Sequence, residues 1–217
     1  MQALLFDLDG TLVDSAPDLA ATANTMRDRR GLAALDYPLL RPMAGSGARG
    51  LLLRAFDIGP NDAGYGALRD EFHELYQQRM LETTAAFADI EPLLAQLAQL
   101  GLTWGIVTNK ARRFAEPMMR ALTALQGAAT LVCGDCTPHT KPHPAPLLEA
   151  ARRLNCEPAR CVYVGDDVRD IEAGRAAGMI TVAAAWGYLG PAAVVKAWQA
   201  DHVITRPAEL LHCLDLP

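Results

Sequence analysis

The sequence ALLFDLDGT, Ala3–Thr11, decides the fold of this chain. Its first part, Ala3–Leu8, is apolar apart from Asp7 and does not alternate with polar residues, which predicts a strand buried on both faces of a parallel sheet. Ligands of open α/β sheets bind beyond the carboxyl ends of the strands, where Asp7 and Asp9 follow each other two positions apart. The two carboxylates point the same way if the strand continues through them, and such a pair suits a nucleophile and a general acid/base. Taken alone, the pair also fits an acidic strand end with an ordinary Asp-Gly turn.

Four further apolar runs repeat the pattern of the first. They are Thr103–Thr108, Thr130–Cys133, Cys161–Gly165 and Ile180–Ala185. The helical candidates between and beside them are Ile90–Leu100, Phe114–Leu125, Pro144–Leu154 and Ile171–Ala177. Strands that alternate with helices predict a doubly wound α/β fold with a mostly parallel, Rossmann-like sheet.

The segment 15–84 interrupts this alternation. It has no strand candidate, but apolar residues such as Leu19, Ala23 and Met26 recur at helical spacing. Prolines and the Gly59–Pro60 pair separate the helical stretches. We therefore expect an all-helical cap over 15–84, inserted into an α/β core formed by 1–14 and 85–217.

The composition argues against a nucleic-acid-binding, membrane-spanning or disulfide-rich protein. The chain has 217 residues and a net charge of −5, so nothing suggests a nucleic-acid surface. No apolar run approaches the ~20 residues that span a bilayer, and no basic, apolar leader precedes the first strand. Five cysteines do not form a disulfide framework in a chain of this length. We expect a cytoplasmic protein without membrane or nucleic-acid partners, acting as a monomer or weak homodimer.

The other strand ends also carry chemically active side chains. These residues are Thr108, Asn109, Lys110, Lys141, Asp166, Asp167 and Asp170. The predicted topology brings carboxylates, a hydroxyl, an amide and lysines to one edge of the sheet. Explaining each of them as an unrelated polar loop residue would require several separate coincidences.

Four segments in this order resemble the motifs of the haloacid-dehalogenase superfamily. They are FDLDGTLVDS at 6–15, VTNK at 107–110, the Lys141–Pro142 step and VGDDVRD at 164–170. The resemblance covers nearly the whole chain. The segment inserted after the first motif is similar to the helical cap of the phosphoglycolate-phosphatase-like branch. The resemblance implies a phosphatase that forms an aspartyl phosphate.

The resemblance also implies a role for each motif residue. Asp7 is the expected nucleophile, and Asp9 protonates the leaving oxygen and then activates water. Thr108 and Asn109 are expected to hold the phosphoryl oxygens. Lys141 is expected to neutralise charge on the nucleophile and the phosphoryl group.

Magnesium is the cofactor that the resemblance implies. Its expected ligands are Asp7, the backbone carbonyl of Asp9 and Asp166, with Asp170 as a ligand or as a neighbour of the ligands. Magnesium prefers oxygen atoms in an octahedral shell, which carboxylates and waters supply. Thr11 is expected to contact the substrate from the same loop.

A glycine-rich segment of the cap is the expected substrate contact outside the core. Ser46, Gly47 and Arg49 lie in the sequence GSGARG, where an arginine beside a small-residue turn suits an anion. The resemblance implies that this cap loop meets the substrate.

Substrate identity is left open between two small phosphorylated metabolites that both carry a carboxylate. The overall motif pattern is similar to phosphoglycolate phosphatases, which we place first. GSGARG at 45–50, VTNKARRFAEPMM at 107–119 and WQADHVITRPAEL at 198–210 resemble bacterial phosphatases of N-acetylmuramic acid 6-phosphate. Phosphonate-cleaving and mutase chemistry are disfavoured because 15–84 contains no lysine. The alternative from another class is a non-catalytic, phosphate-binding regulatory protein.

One further string resembles a metal-ligand pattern. Cys133, Cys136, His139 and His143 form C-x2-C-x2-H-x3-H. The spacing between the second cysteine and the first histidine is much shorter than in a zinc finger. We favour ordinary buried cysteines and loop histidines over a zinc site.

Overall fold

The computed structural model describes residues 1–190 and 194–214. Its chain divides into two compact units. The first unit comprises Met1–Val13 and the chain from Ala86 onward, and the second comprises Asp14–Ala85. Among the described helices, none combines the length and the apolar character that crossing a membrane requires.

A six-stranded sheet forms the centre of the first unit. In chain order the strands are β1 Ala3–Phe6, β2 Val13–Asp14, β3 Ala85–Ala86, β4 Thr103–Val107, β5 Leu131–Val132, β6 Cys161–Gly165, β7 Ile180–Ala184 and β8 His202–Ile204. The sheet order is β5-β4-β1-β6-β7-β8, and every neighbouring pair is parallel. The short strands β2 and β3 pair with each other. The predicted doubly wound, mostly parallel sheet is confirmed.

Helices follow the strands of the first unit. In chain order the helices of the protein are α1 Ala16–Asp28, α2 Tyr37–Leu40, α3 Gly47–Phe56, α4 Tyr65–Arg79, α5 Ile90–Gln99, α6 Arg112–Ala121, α7 Ala145–Arg153, α8 Val168–Ala176 and α9 Glu209–Cys213. One core cluster joins the central strands to α7 and α8 through buried residues such as Leu5, Tyr163, Leu147 and Ala173. This packing fixes the strand ends on which the polar side chains sit.

The register of the central strands aligns their carboxyl ends. We call the edge of the sheet formed by these ends, where the polar side chains lie, the polar edge. Phe6 in β1 pairs with Ile106 in β4 and with Val164 in β6. Asp7 therefore follows β1 at the level where Val107 ends β4. The strand ends two residues earlier than the run Ala3–Leu8 predicts, because the chain turns after it.

The second unit consists mainly of α1–α4. Helix α1 buries Leu19, Ala23 and Met26 as its helical spacing predicts. The buried carboxylate of Asp18 accepts hydrogen bonds from the hydroxyls of Thr83, at 2.5 Å, and Thr84, at 2.7 Å. These hydrogen bonds connect α1, the first helix of the unit, to the last residues of the segment Asp14–Ala85.

Helix bounds differ from the predicted ones at several termini. Helix α8 begins at Val168 instead of Ile171, because the Asp167 side chain caps it and the Asp170 carboxylate accepts a hydrogen bond from the Asp167 backbone N–H. Helix α6 ends at Ala121, before a separate 3-10 turn at Thr123–Leu125. Strand β8 was not predicted, since three residues give no readable period.

Candidate active site

Asp7 lies at the centre of the polar edge. Its backbone N–H donates to the Val164 carbonyl across 2.9 Å, and its side chain is largely buried. The Lys141 ammonium lies 2.7 Å from Oδ1 of Asp7. Burial raises the pKa of Asp7 to about 7, although the charge of Lys141 opposes the shift. The Asp7 carboxylate is therefore largely removed from bulk water, and the Lys141 ammonium is its cationic partner.

Lys141 is the buried cation of the site. Its Nζ lies 2.7 Å from Oδ1 of Asp170, the same distance as from Asp7. It also donates to the Val107 carbonyl at 3.0 Å and to the Tyr163 hydroxyl at 2.8 Å. Burial lowers the pKa of Lys141, but the carboxylates of Asp170 and Asp7 outweigh it and raise this pKa above its ordinary value. The lysine therefore stays charged.

Asp166 follows β6 and is held from two sides. Oδ1 accepts from the Thr11 hydroxyl at 3.0 Å, and Oδ2 accepts from the Tyr188 backbone N–H at 2.9 Å. A Cβ atom added at Gly10 or at Gly187 would lie 2.2 Å from Oδ2 of this carboxylate. Burial raises the pKa of Asp166 well above its ordinary value. Only glycine fits beside the carboxylate at both positions.

Asp170 reaches the site because of how α8 begins. Its Oδ2 accepts from the Asp167 backbone N–H at 3.1 Å, which completes the capping box. Its Oδ1 is left for the Tyr163 hydroxyl, at 3.2 Å, and for Lys141. A Cβ atom at Gly165 would lie 2.3 Å from Cγ of Asp170, so this glycine makes room for the carboxylate. The local cap thus aims Asp170 at the same point as Asp7.

Asp9 has a different cationic partner from Asp7. The Lys110 ammonium lies 2.8 Å from Oδ1 of Asp9, and both side chains are mostly shielded from solvent. The Lys110 backbone N–H donates to the Thr108 hydroxyl at 3.1 Å. Asp9 forms an isolated bridge with Val13, so the chain loops back after the carboxylate pair. Each of the two carboxylates is therefore paired with its own lysine.

The carboxylates of the site are suited to a divalent cation. Oxygen atoms of Asp7, Asp166 and Asp170 all lie within 4.8 Å of one another. The ion pairs and the ligand cluster of the site contain the carboxylates Asp7, Asp9, Asp166, Asp167 and Asp170 and the cations Lys110, Lys141 and Arg169. When all are ionised, five negative charges meet three positive ones and leave a formal charge of −2. Oxygen ligands with this excess charge fit Mg²⁺.

The predicted core residues come together, but two of them have partners that the sequence did not indicate. Asn109 Nδ2 donates to the Lys141 carbonyl at 3.0 Å, and its Oδ1 accepts from the Lys141 N–H at 2.9 Å. The Thr11 hydroxyl is directed at Asp166. Direct contact of these two side chains with a phosphoryl group stays a prediction.

The glycine-rich segment 45–50 lies in the second unit. Ser46 ends a 3-10 turn that begins at Arg41, and Gly47 begins α3 with a positive φ of 57°. Arg49 is exposed on the first turn of α3. Substrate binding by these residues stays a prediction.

Tyr163, Tyr188 and Gly187 contribute to the site although no sequence motif indicates them. Tyr163 reads as an ordinary core residue of an apolar strand. Tyr188 acts through its backbone N–H, which no side-chain pattern reveals. The motif that contains Gly165 and Asp170 is the sequence feature that indicates this part of the site.

The second candidate ligand cluster is Cys133, Asp135 and Cys136, whose ligand atoms also lie within 4.8 Å of one another. The Arg112 guanidinium donates to the Cys136 sulfur at 3.0 Å, so a cation already occupies one side of this sulfur. Burial raises the pKa of the Cys133 thiol to about 12. These contacts favour the ordinary-thiol interpretation.

Comparison with known proteins identifies relatives along nearly the whole chain. Residues 4–184 match the family model described as haloacid dehalogenase-like hydrolase. The chain is 43% identical over 215 residues to the N-acetylmuramic acid 6-phosphate phosphatase of Pseudomonas putida, covering 99% of this chain and 96% of the relative. It is 44% identical over 209 residues to the phosphoglycolate phosphatase of Xanthomonas campestris pv. campestris, covering 96% and 94%.

A solved structure has the same fold. The crystal structure of a "predicted phosphoglycolate phosphatase" from Haemophilus somnus 129PT superposes with a TM-score of 0.87 at 26% sequence identity. The match covers 99% of this chain and 98% of the other.

Proposed function

The chain belongs to the haloacid dehalogenase-like hydrolase family, and on this premise we propose that it is a Mg²⁺-dependent phosphatase of a small phosphomonoester, acting through an aspartyl phosphate. One observation carries the proposal. The Asp7 carboxylate, 2.7 Å from the Lys141 ammonium, belongs to a cluster with Asp166 and Asp170 at the end of the central strand. This cluster unites a nucleophile, a fixed cation and ligands for a divalent metal.

The reaction has two displacement steps at phosphorus. In the first, an Asp7 oxygen forms a bond to phosphorus while the bond to the substrate's ester oxygen breaks, and Asp9 gives that oxygen a proton. In the second, Asp9 takes a proton from water, whose oxygen attacks phosphorus and releases phosphate from Asp7. Asp9 returns to its protonated form, so each turnover consumes one water.

Charge stabilisation comes from residues around Asp7. Lys141 and the Thr108 hydroxyl offset the negative charge that spreads over the phosphoryl oxygens in the transition state. Bound Mg²⁺ would be held by Asp7, the Asp9 carbonyl and Asp166, with Asp170 beside them, and it supplies further positive charge. The formal charge of −2 on the ionised side chains supports this assignment.

The proposed substrate is a phosphomonoester with a carboxylate. We place phosphoglycolate first, and a second candidate is N-acetylmuramic acid 6-phosphate, which the Pseudomonas putida relative favours. Arg49, with Ser46 and Gly47, is the proposed recognition element because its guanidinium is exposed and matches a carboxylate. All five cysteines are free thiols, which agrees with a reducing compartment, and we propose the cytoplasm.

Phosphate release tests the proposal directly. The purified chain is assayed with Mg²⁺ on both candidate substrates, and kcat/KM is compared between them. Activity should disappear with a chelator and return with added Mg²⁺. Full activity in chelator would contradict the metal assignment. Phosphate binding without release from either ester or from a broad panel would favour the non-catalytic alternative.

A further inference from the structure

Lys141 is held by more groups than its two carboxylate partners. An ammonium has three N–H donors, yet four oxygen atoms lie within 3.0 Å of Nζ. Two of these oxygens belong to Asp7 and Asp170. The other two are the Val107 carbonyl and the Tyr163 hydroxyl, which carry no charge.

The Tyr163 hydroxyl is fixed by the core of the first unit. Its ring is fully buried in the cluster that also contains Leu5 and Val107. The hydroxyl accepts from Lys141 at 2.8 Å and has its own proton directed to the Val107 carbonyl at 2.8 Å or to Asp170 at 3.2 Å. A buried aromatic ring has few rotamers, so it presents its oxygen at a defined point.

The main chain of the same lysine is held by a second residue. The Asn109 side-chain amide forms a reciprocal pair of hydrogen bonds with the N–H and the carbonyl of Lys141, at 2.9 and 3.0 Å. Asn109 thus fixes the backbone of Lys141, and Tyr163 contacts the ammonium at the end of the Lys141 side chain.

We propose that Tyr163 is a positioning residue that holds the Lys141 ammonium in register with Asp7 during phosphoryl transfer, while Asn109 anchors its backbone. This inference rests on the proposed function. The physical need arises because the charge that Asp7 offers to the ammonium changes when its oxygen becomes bonded to phosphorus. The Tyr163 hydroxyl and the Val107 carbonyl do not take part in that bond, so they retain the ammonium through both steps.

The test is the Tyr163→Phe variant, which removes one oxygen and keeps the ring. Because a hydrogen bond to a charged group is lost, kcat should fall about tenfold or more, while KM stays within about twofold. A Tyr76→Phe variant, which removes the hydroxyl of a buried tyrosine in α4, is the matched control and should keep the wild-type kcat. Thermal unfolding verifies that both variants are folded.

A double-mutant cycle decides whether the effect passes through Lys141. In a Lys141→Arg background, which removes the ammonium that contacts the Tyr163 hydroxyl, Tyr163→Phe should change kcat by less than about twofold. The same fold loss in both backgrounds would overturn the inference, as would a wild-type kcat in Tyr163→Phe. If Tyr163→Phe does not fold, 3-fluorotyrosine at position 163 gives a weaker acceptor of nearly the same volume. An unchanged kcat in that folded variant would also overturn the inference.

The outcomes separate this inference from the function on which it rests. A wild-type chain that releases no phosphate would refute the proposed function itself. An active wild type, impaired by Lys141→Arg but indifferent to Tyr163→Phe, would refute only the positioning role.

Discussion

The ammonium of Lys110 lies 2.8 Å from the Asp9 carboxylate, although 101 positions separate the two residues in the chain. The contact joins the end of β4 to the loop after β1. In the proposed mechanism Asp9 transfers the proton to the leaving oxygen and takes one from water. The charge of Lys110 therefore bears on the acid/base step, whereas that of Lys141 bears on Asp7.

Removing the Lys110 charge should impair the steps in which Asp9 moves a proton. A charge-assisted hydrogen bond contributes about 1.5–3 kcal/mol, so Lys110→Met should lower kcat on an alkyl phosphate by about tenfold to a hundredfold. The loss on para-nitrophenyl phosphate should be smaller, because its leaving group needs no proton. Equal losses on both esters would show that Lys110 does not act through leaving-group protonation. Lys196→Met, which removes the third lysine of the chain, is the control.

Metal-free stability should depend on pH through Asp7 and Asp166. Burial raises the pKa of Asp7 to about 7 and that of Asp166 well above its ordinary value. Between about pH 4 and 7 the folded state retains protons that the unfolded chain has lost, so these groups make the free energy of unfolding fall as pH rises. Asp166→Asn mimics the protonated form. In chelator, its Tm should exceed that of the wild type by a few degrees at pH 8, at about 2–4 °C per kcal/mol.

The readout is the difference in Tm between variant and wild type, because other carboxylates, such as Glu149, have lowered pKa values and act in the opposite direction. The difference should grow from pH 5 to pH 8. Mg²⁺ should raise the Tm of the wild type and not of Asp166→Asn. Asp36→Asn, at an exposed position without a side-chain cap hydrogen bond, should follow the wild type. An equal Mg²⁺ response in Asp166→Asn would remove this carboxylate from the metal site.

Gly187 should matter for metal affinity although it offers no side chain. A Cβ atom there would lie 2.2 Å from Oδ2 of Asp166, so Gly187→Ala must displace the carboxylate. Changes around metal ligands typically cost about tenfold to a hundredfold in affinity, and we expect the Mg²⁺ concentration for half-maximal activity to rise by that factor. Gly66→Ala on α4, where no neighbouring atom lies within 4 Å of the added Cβ, is the control. An unchanged Mg²⁺ requirement in Gly187→Ala would show that Asp166 can move without loss.

Arg49 should distinguish substrates with a carboxylate from those without one. If its guanidinium binds the substrate carboxylate, Arg49→Ala should lower kcat/KM on phosphoglycolate about tenfold or more, as expected for a charged hydrogen bond. Activity on para-nitrophenyl phosphate should change much less. Arg54→Ala removes another exposed arginine of α3 and is the matched control. An equal loss on both substrates would assign Arg49 to the phosphoryl group or to stability, and no loss would exclude it from recognition.

The parallel sheet and the clustering of polar side chains at one edge could be predicted from the sequence, because parallel strands bring the residues beyond their carboxyl ends to one edge of the sheet. The contacts made by residues whose type looks ordinary could not be predicted in this way. Tyr163 lies in an apolar strand. Its hydroxyl forms hydrogen bonds with Lys141 and Val107, which are separated from it by 22 and 56 positions in the sequence. Tyr188 contributes a backbone N–H, and Gly187 contributes only space. Such roles depend on tertiary packing, which local spacing does not encode.

In the proposed mechanism Asp7 carries the phosphoryl group, and this intermediate can be trapped directly. Wild-type protein is mixed with ³²P-labelled substrate and Mg²⁺, quenched in acid within one turnover, and reduced with borohydride, which converts an aspartyl phosphate to homoserine. We expect protein-bound label before reduction and homoserine at position 7 by peptide mass spectrometry. Asp7→Asn should be folded, unlabelled and inactive. Near-normal turnover in Asp7→Asn, or homoserine at another aspartate, would contradict the proposed mechanism.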